Sequence, residues 1–89
     1  MARVLIYLTA ACPYCQAAQR LLVHKGVADV ETVRIDLEPG RRAEMVRRAG
    51  NNSVPQIWIG GRHVGGCDEL YALERAGALD ALLRETETT

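Results

Sequence analysis

The chain has 89 residues with 11 basic and 11 acidic side chains, so its formal net charge is zero. Neutrality excludes the broad basic footprint that nucleic acid or an anionic membrane selects. Hydrophobic residues make up 48% and charged residues 25%, the balance of a small globular protein with one modest core that buries about 60–65% of its unfolded surface. No stretch approaches the ~20 apolar residues of a membrane span, and the start, Met1-Ala2-Arg3-Val4, is too short in apolar length for a secretory signal. These features point to one domain over 1–89 in the cytoplasm. There, three cysteines more often serve catalysis or metal binding than structural cross-linking.

In chain order, Val4-Leu5-Ile6-Tyr7-Leu8 is an apolar, β-prone run and reads as the first strand. Tyr14–Lys25 reads as a helix, with Ala17, Ala18, Leu21 and Leu22 at helical spacing and Gly26 as its C-terminal stop. Val30–Asp36 alternates as a second strand. Pro39-Gly40 breaks the chain before a short helix over Arg41–Ala49, with Met45 and Val46 facing inward and Gly50 closing it. Asn51-Asn52-Ser53 is loop chemistry. Gln56–Ile59 reads as a third strand, turned by Gly60-Gly61 into a fourth at His63-Val64. Asp68–Ala76 and Leu79–Leu83 read as closing helices, and the polar segment 85–89 as a frayed tail. A strand–helix–strand opening implies parallel first strands with a right-handed crossover. A closing hairpin adds antiparallel pairing. The expected fold is an α/β sandwich with a small mixed sheet of four strands between helices.

The strongest chemical signal is Cys12-Pro13-Tyr14-Cys15 at the first strand-to-helix junction. Two cysteines two residues apart can close a disulfide across one helical turn. The unpaired N–H groups and positive dipole end of the helix favour a thiolate there. Cys12 falls at the cap and is the expected exposed nucleophile. Pro13 suits the first helical position, where no N–H is needed. Cys15, one turn in, is the expected resolving thiol. Two other readings of the pair are half a zinc site, which wants a second pair of ligands that His24, His63 and Cys67 do not supply at the usual spacing, and simple packing. Val54-Pro55 reads on its own as an ordinary proline at the start of a strand. Gly65-Gly66-Cys67-Asp68 allows close backbone approach at a helix start. By itself it reads more readily as a helix cap at Asp68 beside a packed Cys67.

Taken in order, Cys12-Pro13-Tyr14-Cys15, Ser53-Val54-Pro55-Gln56-Ile57 and Gly65-Gly66-Cys67-Asp68-Glu69-Leu70 resemble the three signature segments of the dithiol glutaredoxins, nearest to the short bacterial glutaredoxins of the third type. The resemblance runs from about Val4 to Leu83. It implies a thioredoxin-like three-layer sandwich and a glutathione-dependent thiol–disulfide oxidoreductase. Cys12 and Cys15 would form the redox-active disulfide, with glutathione as co-substrate and no tightly bound cofactor or metal. It further implies that Tyr14 flanks the bound tripeptide and that Pro55 is cis. Val54 would pair its backbone with the cysteinyl part in the manner of an added strand. The segment Gly66, Cys67 and Asp68 would hold the γ-glutamyl end, by its amides and by the Asp68 carboxylate. Arg42, eleven positions before Ser53, would reach the glycyl carboxylate; read alone it is one of four arginines on a solvated helix.

The chain departs from that family where Thr9 stands in place of the usual lysine three residues before the nucleophile. A hydroxyl brings a hydrogen bond but no charge, which leaves the helix terminus as the main support of the thiolate. The implied partners are glutathione, protein disulfides and glutathionylated proteins, met by a monomer, with no nucleic acid and no membrane. Two further functions fit the same motifs. One is a glutathione-ligated [2Fe-2S] carrier, against which the stiff Pro13 argues. The other is a redoxin reduced directly by thioredoxin reductase, against which Tyr14 and Gly65–Asp68 argue.

Overall fold

In the computed structural model, which describes residues 2–85, eight elements follow one another as β1 (Val4–Leu8), α1 (Pro13–His24), β2 (Val30–Arg34), α2 (Pro39–Ala49), β3 (Gln56–Ile59), β4 (Arg62–Gly65), α3 (Cys67–Arg75) and α4 (Leu79–Arg84). The strand order is β2-β1-β3-β4. β1 runs parallel to β2 and antiparallel to β3, and β4 returns antiparallel to β3. The mixed four-stranded sheet expected from the order of elements is therefore present. The expected frayed tail lies outside the described residues from 86 onward.

The inner strands β1 and β3 split their side chains between two cores because successive residues point to opposite faces. Val4, Ile6, Leu8, Ile57 and Ile59 face one side. There they meet Cys15, Ala18, Leu21 and Leu22 of α1, Leu70 of α3 and Leu79, Leu82 and Leu83 of α4. Tyr7, Val33, Ile35 and Trp58 face the other, where α2 contributes Met45. Three layers result. β1 is the central strand, buried on both faces, which explains its nearly unbroken apolar run.

Polar contacts fasten the helices to this frame. Lys25 at the end of α1 reaches Glu74 of α3 at 2.7 Å and Asp80 of α4 at 3.0 Å. On the opposite face the buried Tyr7 hydroxyl donates to Glu44, and Arg48 donates to the same hydroxyl at 3.0 Å, so two residues of α2 grip one phenol. Burial and the Glu44 carboxylate push the Tyr7 phenol above its ordinary range.

Several boundaries differ from the sequence reading. β2 stops at Arg34, two residues before the expected Asp36, because Arg34 pairs with Leu8, the last residue of β1. The N–H groups of Leu37 and Glu38 then turn back to the Arg34 carbonyl at 3.1 and 3.0 Å. α2 begins at Pro39 rather than Arg41: Pro39-Gly40 starts the helix, with proline in the first-turn position that its preset φ suits. Val46, expected inward, is 37% exposed; Met45 is the fully buried residue of α2, with Ala49 packed on the same side. The Gly60-Gly61 turn is as expected, with both residues at positive φ (59° and 83°) in the tight hairpin that such angles close.

Leu70 is fully buried where α3 meets the sheet. Leu70→Ala is expected to cost about 2–5 kcal/mol, read as a lower urea midpoint at unchanged slope.

Candidate functional site

The β1–α1 loop delivers Cys12 to the start of α1, where it is the N-cap: its backbone is extended and its sulfur accepts the N–H of Cys15 at 3.2 Å. Pro13 follows in the first turn, where a missing N–H leaves nothing unpaired. The loop is tied down on its far side. Asp36 accepts the Ala10 N–H at 3.4 Å while Arg34 grips both Asp36 carboxylate oxygens at 2.7 Å. Those contacts, the Arg34 pairing foremost, hold the Asp36 carboxyl down at about 2.

Across from Cys12 stands the loop before β3. The Val54–Pro55 peptide bond is cis, which the resemblance implied and the ordinary reading of this proline did not. The Cys12 thiol points at the Val54 carbonyl, 3.8 Å away. Ser53 is set by an Asx turn in which the Asn51 side chain accepts its N–H at 2.9 Å.

The third segment arrives from β4. Ile57 pairs with Gly65 but Trp58 pairs with His63, which leaves Val64 as an extra residue, a bulge. The bulge carries Gly65-Gly66 over Pro55. Gly65 has φ +116°, and a Cβ there would lie 3.0 Å from the Glu69 side chain. A Cβ on Gly66 would lie 3.3 Å from the Pro55 carbonyl. Gly66, not Asp68, is the N-cap of α3, which corrects the capping reading of Asp68. Asp68 sits in the second position of the helix, and it is Glu69 that reaches back, accepting the Gly66 N–H at 2.8 Å.

These segments enclose an open groove of about 380 Å³. Of the residues singled out from the sequence, Tyr14, Val54, Pro55, Gly66, Cys67 and Asp68 line it. Cys12 borders it through Val54. Cys15 lies behind Cys12 in the core. Thr9 is half-buried, touches Cys15 through a backbone hydrogen bond and is not a lining residue of the groove. Arg42 is not a lining residue; its guanidinium donates to Asn52 at 2.9 Å, one residue from the groove wall at Asn51 and Ser53. Sequence reasoning passed over Gln56, His63 and Glu69, all of which line the groove. The available signals were a polar residue opening an otherwise apolar strand and an acidic residue three places after a glycine cap.

The three thiols are free and differ in setting. Cys12, expected to be exposed, is half-buried at the helix start beside the 65% exposed Tyr14, and is the most accessible of the three. Cys15 is fully buried, and that burial, together with its hydrogen bond to Cys12, pushes its thiol up to about 12. Burial, then the Asp68 carboxylate, raises the Cys67 thiol as well. Among the described residues, no group of three or more His, Cys, Asp or Glu side chains is arranged to hold a metal ion.

A C-x-x-C at the first turn of a helix, opposed by a cis proline on a mixed β2-β1-β3-β4 sheet, defines a thioredoxin-like fold built for thiol–disulfide exchange. Comparison with known proteins narrows the class. The family model for glutaredoxin matches residues 4–64. A glutaredoxin of Pseudomonas aeruginosa is 60% identical over 83 residues, covering 93% of this chain and 98% of the relative. Glutaredoxin 3 of Escherichia coli K12 is 50% identical over 84 residues, covering 94% and 100%. Among solved structures, a glutaredoxin from Brucella melitensis superposes with a TM-score of 0.81 at 51% identity, over 94% of this chain and 90% of that one. A buckwheat glutaredoxin–glutathione complex superposes with 0.84 at 29% identity, over 92% and 76%. The chain belongs to the glutaredoxin family. It is a glutathione-dependent thiol–disulfide oxidoreductase.

The contrast between the thiols predicts selective chemistry. In the reduced protein at pH 7–8, iodoacetamide is expected to label Cys12 first and to spare Cys15 and Cys67, as read by peptide mass. Labelling of Cys15 or Cys67 ahead of Cys12 would contradict the assignment of exposure.

Proposed function

We propose that the chain works as one cytoplasmic redox domain, a monomer, that reduces protein disulfides with Cys12 and Cys15 and glutathionylated proteins with Cys12 alone. The observation that carries this reading is the Cys12 sulfur, capped by the Cys15 N–H and facing the Val54 carbonyl at the edge of the groove. No helix of the described residues is long and apolar enough to cross a membrane, which is compatible with that location.

In the dithiol cycle, the Cys12 thiolate attacks one sulfur of the substrate disulfide. A mixed disulfide forms on Cys12, and the other substrate sulfur leaves as a thiolate that takes a proton. Cys15 then gives up its proton and attacks the Cys12 sulfur. The second substrate thiol is released, and the Cys12–Cys15 disulfide forms. One glutathione thiolate opens that disulfide at Cys12, returning Cys15 to its thiol. A second attacks the glutathionyl sulfur, releasing glutathione disulfide and the Cys12 thiolate. In the monothiol cycle, Cys12 attacks the glutathione sulfur of a mixed disulfide, the protein thiol leaves, and a second glutathione completes the turnover. A thiol kept protonated at neutral pH, as Cys15 is, cannot compete for the first attack but stands ready for the second.

The groove suits glutathione in its parts. Tyr14 flanks it, the extended backbone at Val54 before cis Pro55 offers strand-like pairing to the cysteinyl unit, and the first amides of α3 at Cys67 and Asp68 suit the γ-glutamyl carboxylate. The Asp68 carboxylate would then meet the ammonium and Arg42 the glycyl end. Glutathione is the co-substrate in this reading, with no tightly bound cofactor, and Cys67 is a packed neighbour.

The test is turnover of a small glutathione mixed disulfide, coupled to glutathione reductase and NADPH. Cys12→Ser is expected to abolish it. Cys15→Ser is expected to keep it while losing reduction of a protein disulfide. Retained turnover in Cys12→Ser would sink the assignment of the nucleophile. Turnover of a protein disulfide only when thioredoxin reductase replaces glutathione would sink the glutathione reading.

A further inference from the structure

Among the described residues, Gln56 is the buried polar side chain, 3% exposed at the start of β3. Its amide is fully committed. Nε2 donates to the Ser53 carbonyl at 3.0 Å and lies 3.3 Å from the Ser53 hydroxyl, while Oε1 faces His63 Nε2 at 2.9 Å. A carbonyl only accepts, so the amide cannot be turned over without setting two oxygens against each other. Oε1 then needs a donor, and the hydrogen-bond network assigns a hydrogen to His63 Nε2. Both the neutral ring in that tautomer and the imidazolium supply it.

His63 is itself held in place. It stands across the sheet from Trp58, the two rings 4.5 Å apart and tilted by 30°. The Arg48 guanidinium lies 4.5 Å from the Trp58 ring centre and donates to Tyr7 at 3.0 Å. A stacked imidazole therefore fixes an amide, and the amide fixes the carbonyl of Ser53. That carbonyl belongs to the peptide plane that also carries the Val54 N–H, and the next carbonyl, that of Val54, faces Cys12. Rotation of this plane would swing the strand-like edge offered to a bound tripeptide.

We propose that His63 is a positioning residue that acts through Gln56 to fix the Ser53–Val54 peptide, and so sets the affinity of the groove for the glutathionyl group. The inference rests on the glutathione reading above. It weights binding over chemistry: the relay ends on the Ser53–Val54 peptide and reaches the Cys12 sulfur only through the Val54 carbonyl at 3.8 Å, while the Cys15 N–H contact on that sulfur lies outside it, so its loss weakens the hold on substrate more than it slows sulfur exchange.

The experiment measures KM and kcat for a small glutathione mixed disulfide, at fixed glutathione, in the full chain. His63→Phe keeps a ring against Trp58 and removes the donor. It is expected to raise KM about three- to tenfold, the worth of one hydrogen bond, with kcat within about twofold. Gln56→Met cuts the other link and is expected to do the same. The double variant is expected to be no worse than either single one, since both break one relay. His63→Gln, which restores a donor at similar reach, is expected to bring KM back to within about twofold. Thermal midpoints taken alongside separate structure from positioning: a lowered midpoint with unchanged KM in His63→Phe overturns the proposal. So does additivity in the double variant, which would mean His63 meets the ligand directly, and so does failure of His63→Gln to rescue. If His63→Phe does not fold, the Gln56→Met and His63→Gln comparison decides by the same criteria. A wild-type chain with no turnover of the mixed disulfide would overturn the glutathione reading and this inference together. Normal wild-type turnover with unaltered KM in the variants overturns the relay alone.

Discussion

One sulfur atom is the point on which the rest of the arrangement depends. Cys12 Sγ sits between the Cys15 N–H at 3.2 Å and the Val54 carbonyl at 3.8 Å. The first contact comes from a helix terminus whose amides are otherwise unpaired; the second comes from a loop more than 40 positions away in sequence. Sheet register brings them together. Tyr7 near the end of β1 pairs with Gln56 at the start of β3, so the loop after one strand and the loop before the other leave the same edge. The β3–β4 hairpin then carries Gly65 back opposite Ile57, and the bulge at Val64 advances Gly66 to the Pro55 carbonyl. Three separate segments meet because a central strand is paired on both sides.

The same geometry divides two chemically identical residues into two roles. Cys12 is at the surface end of the first turn. Cys15, one turn deeper, packs with Ala18, Leu22 and Leu70 in the core, and its thiol stays protonated through the neutral range. The difference arises from burial and from which sulfur receives the amide, not from the residues themselves. A helix start can do this with little charged help. That matters in a chain with Thr9 in place of a lysine, where the hydrogen bonds on Cys12 and the Asp36-anchored loop beside it hold the turn in place.

Much of the fold could be read from the residue pattern because β1, α1 and the β3–β4 hairpin each carry local signals that agree with their tertiary setting. The errors fall where a partner outside the segment decides. β2 ends where β1 runs out, α2 starts on its proline, and Val46 faces out because adjacent helical residues point about 100° apart, so the face that puts Met45 and Ala49 against Tyr7 and Trp58 leaves Val46 at the surface. The site followed the same division. The C-x-x-C motif announces itself by spacing. The cis form of Pro55 has no local signature and entered only through resemblance. Gln56 and His63 escaped because their pairing depends on cross-strand register. Of the two readings open for Asp68, the cap fails because two glycines precede the helix and the second of them, not the acid, occupies that position.

The most direct measurement is the structure of Cys15→Ser trapped with glutathione as a mixed disulfide. The expected result is a glutathionyl sulfur bonded to Cys12, with the cysteinyl backbone paired to Val54 and the γ-glutamyl carboxylate on the Cys67 and Asp68 amides. A tripeptide attached at Cys67, or joined to Cys12 but lying away from the Val54–Pro55 loop along the outer face of α1, would contradict it.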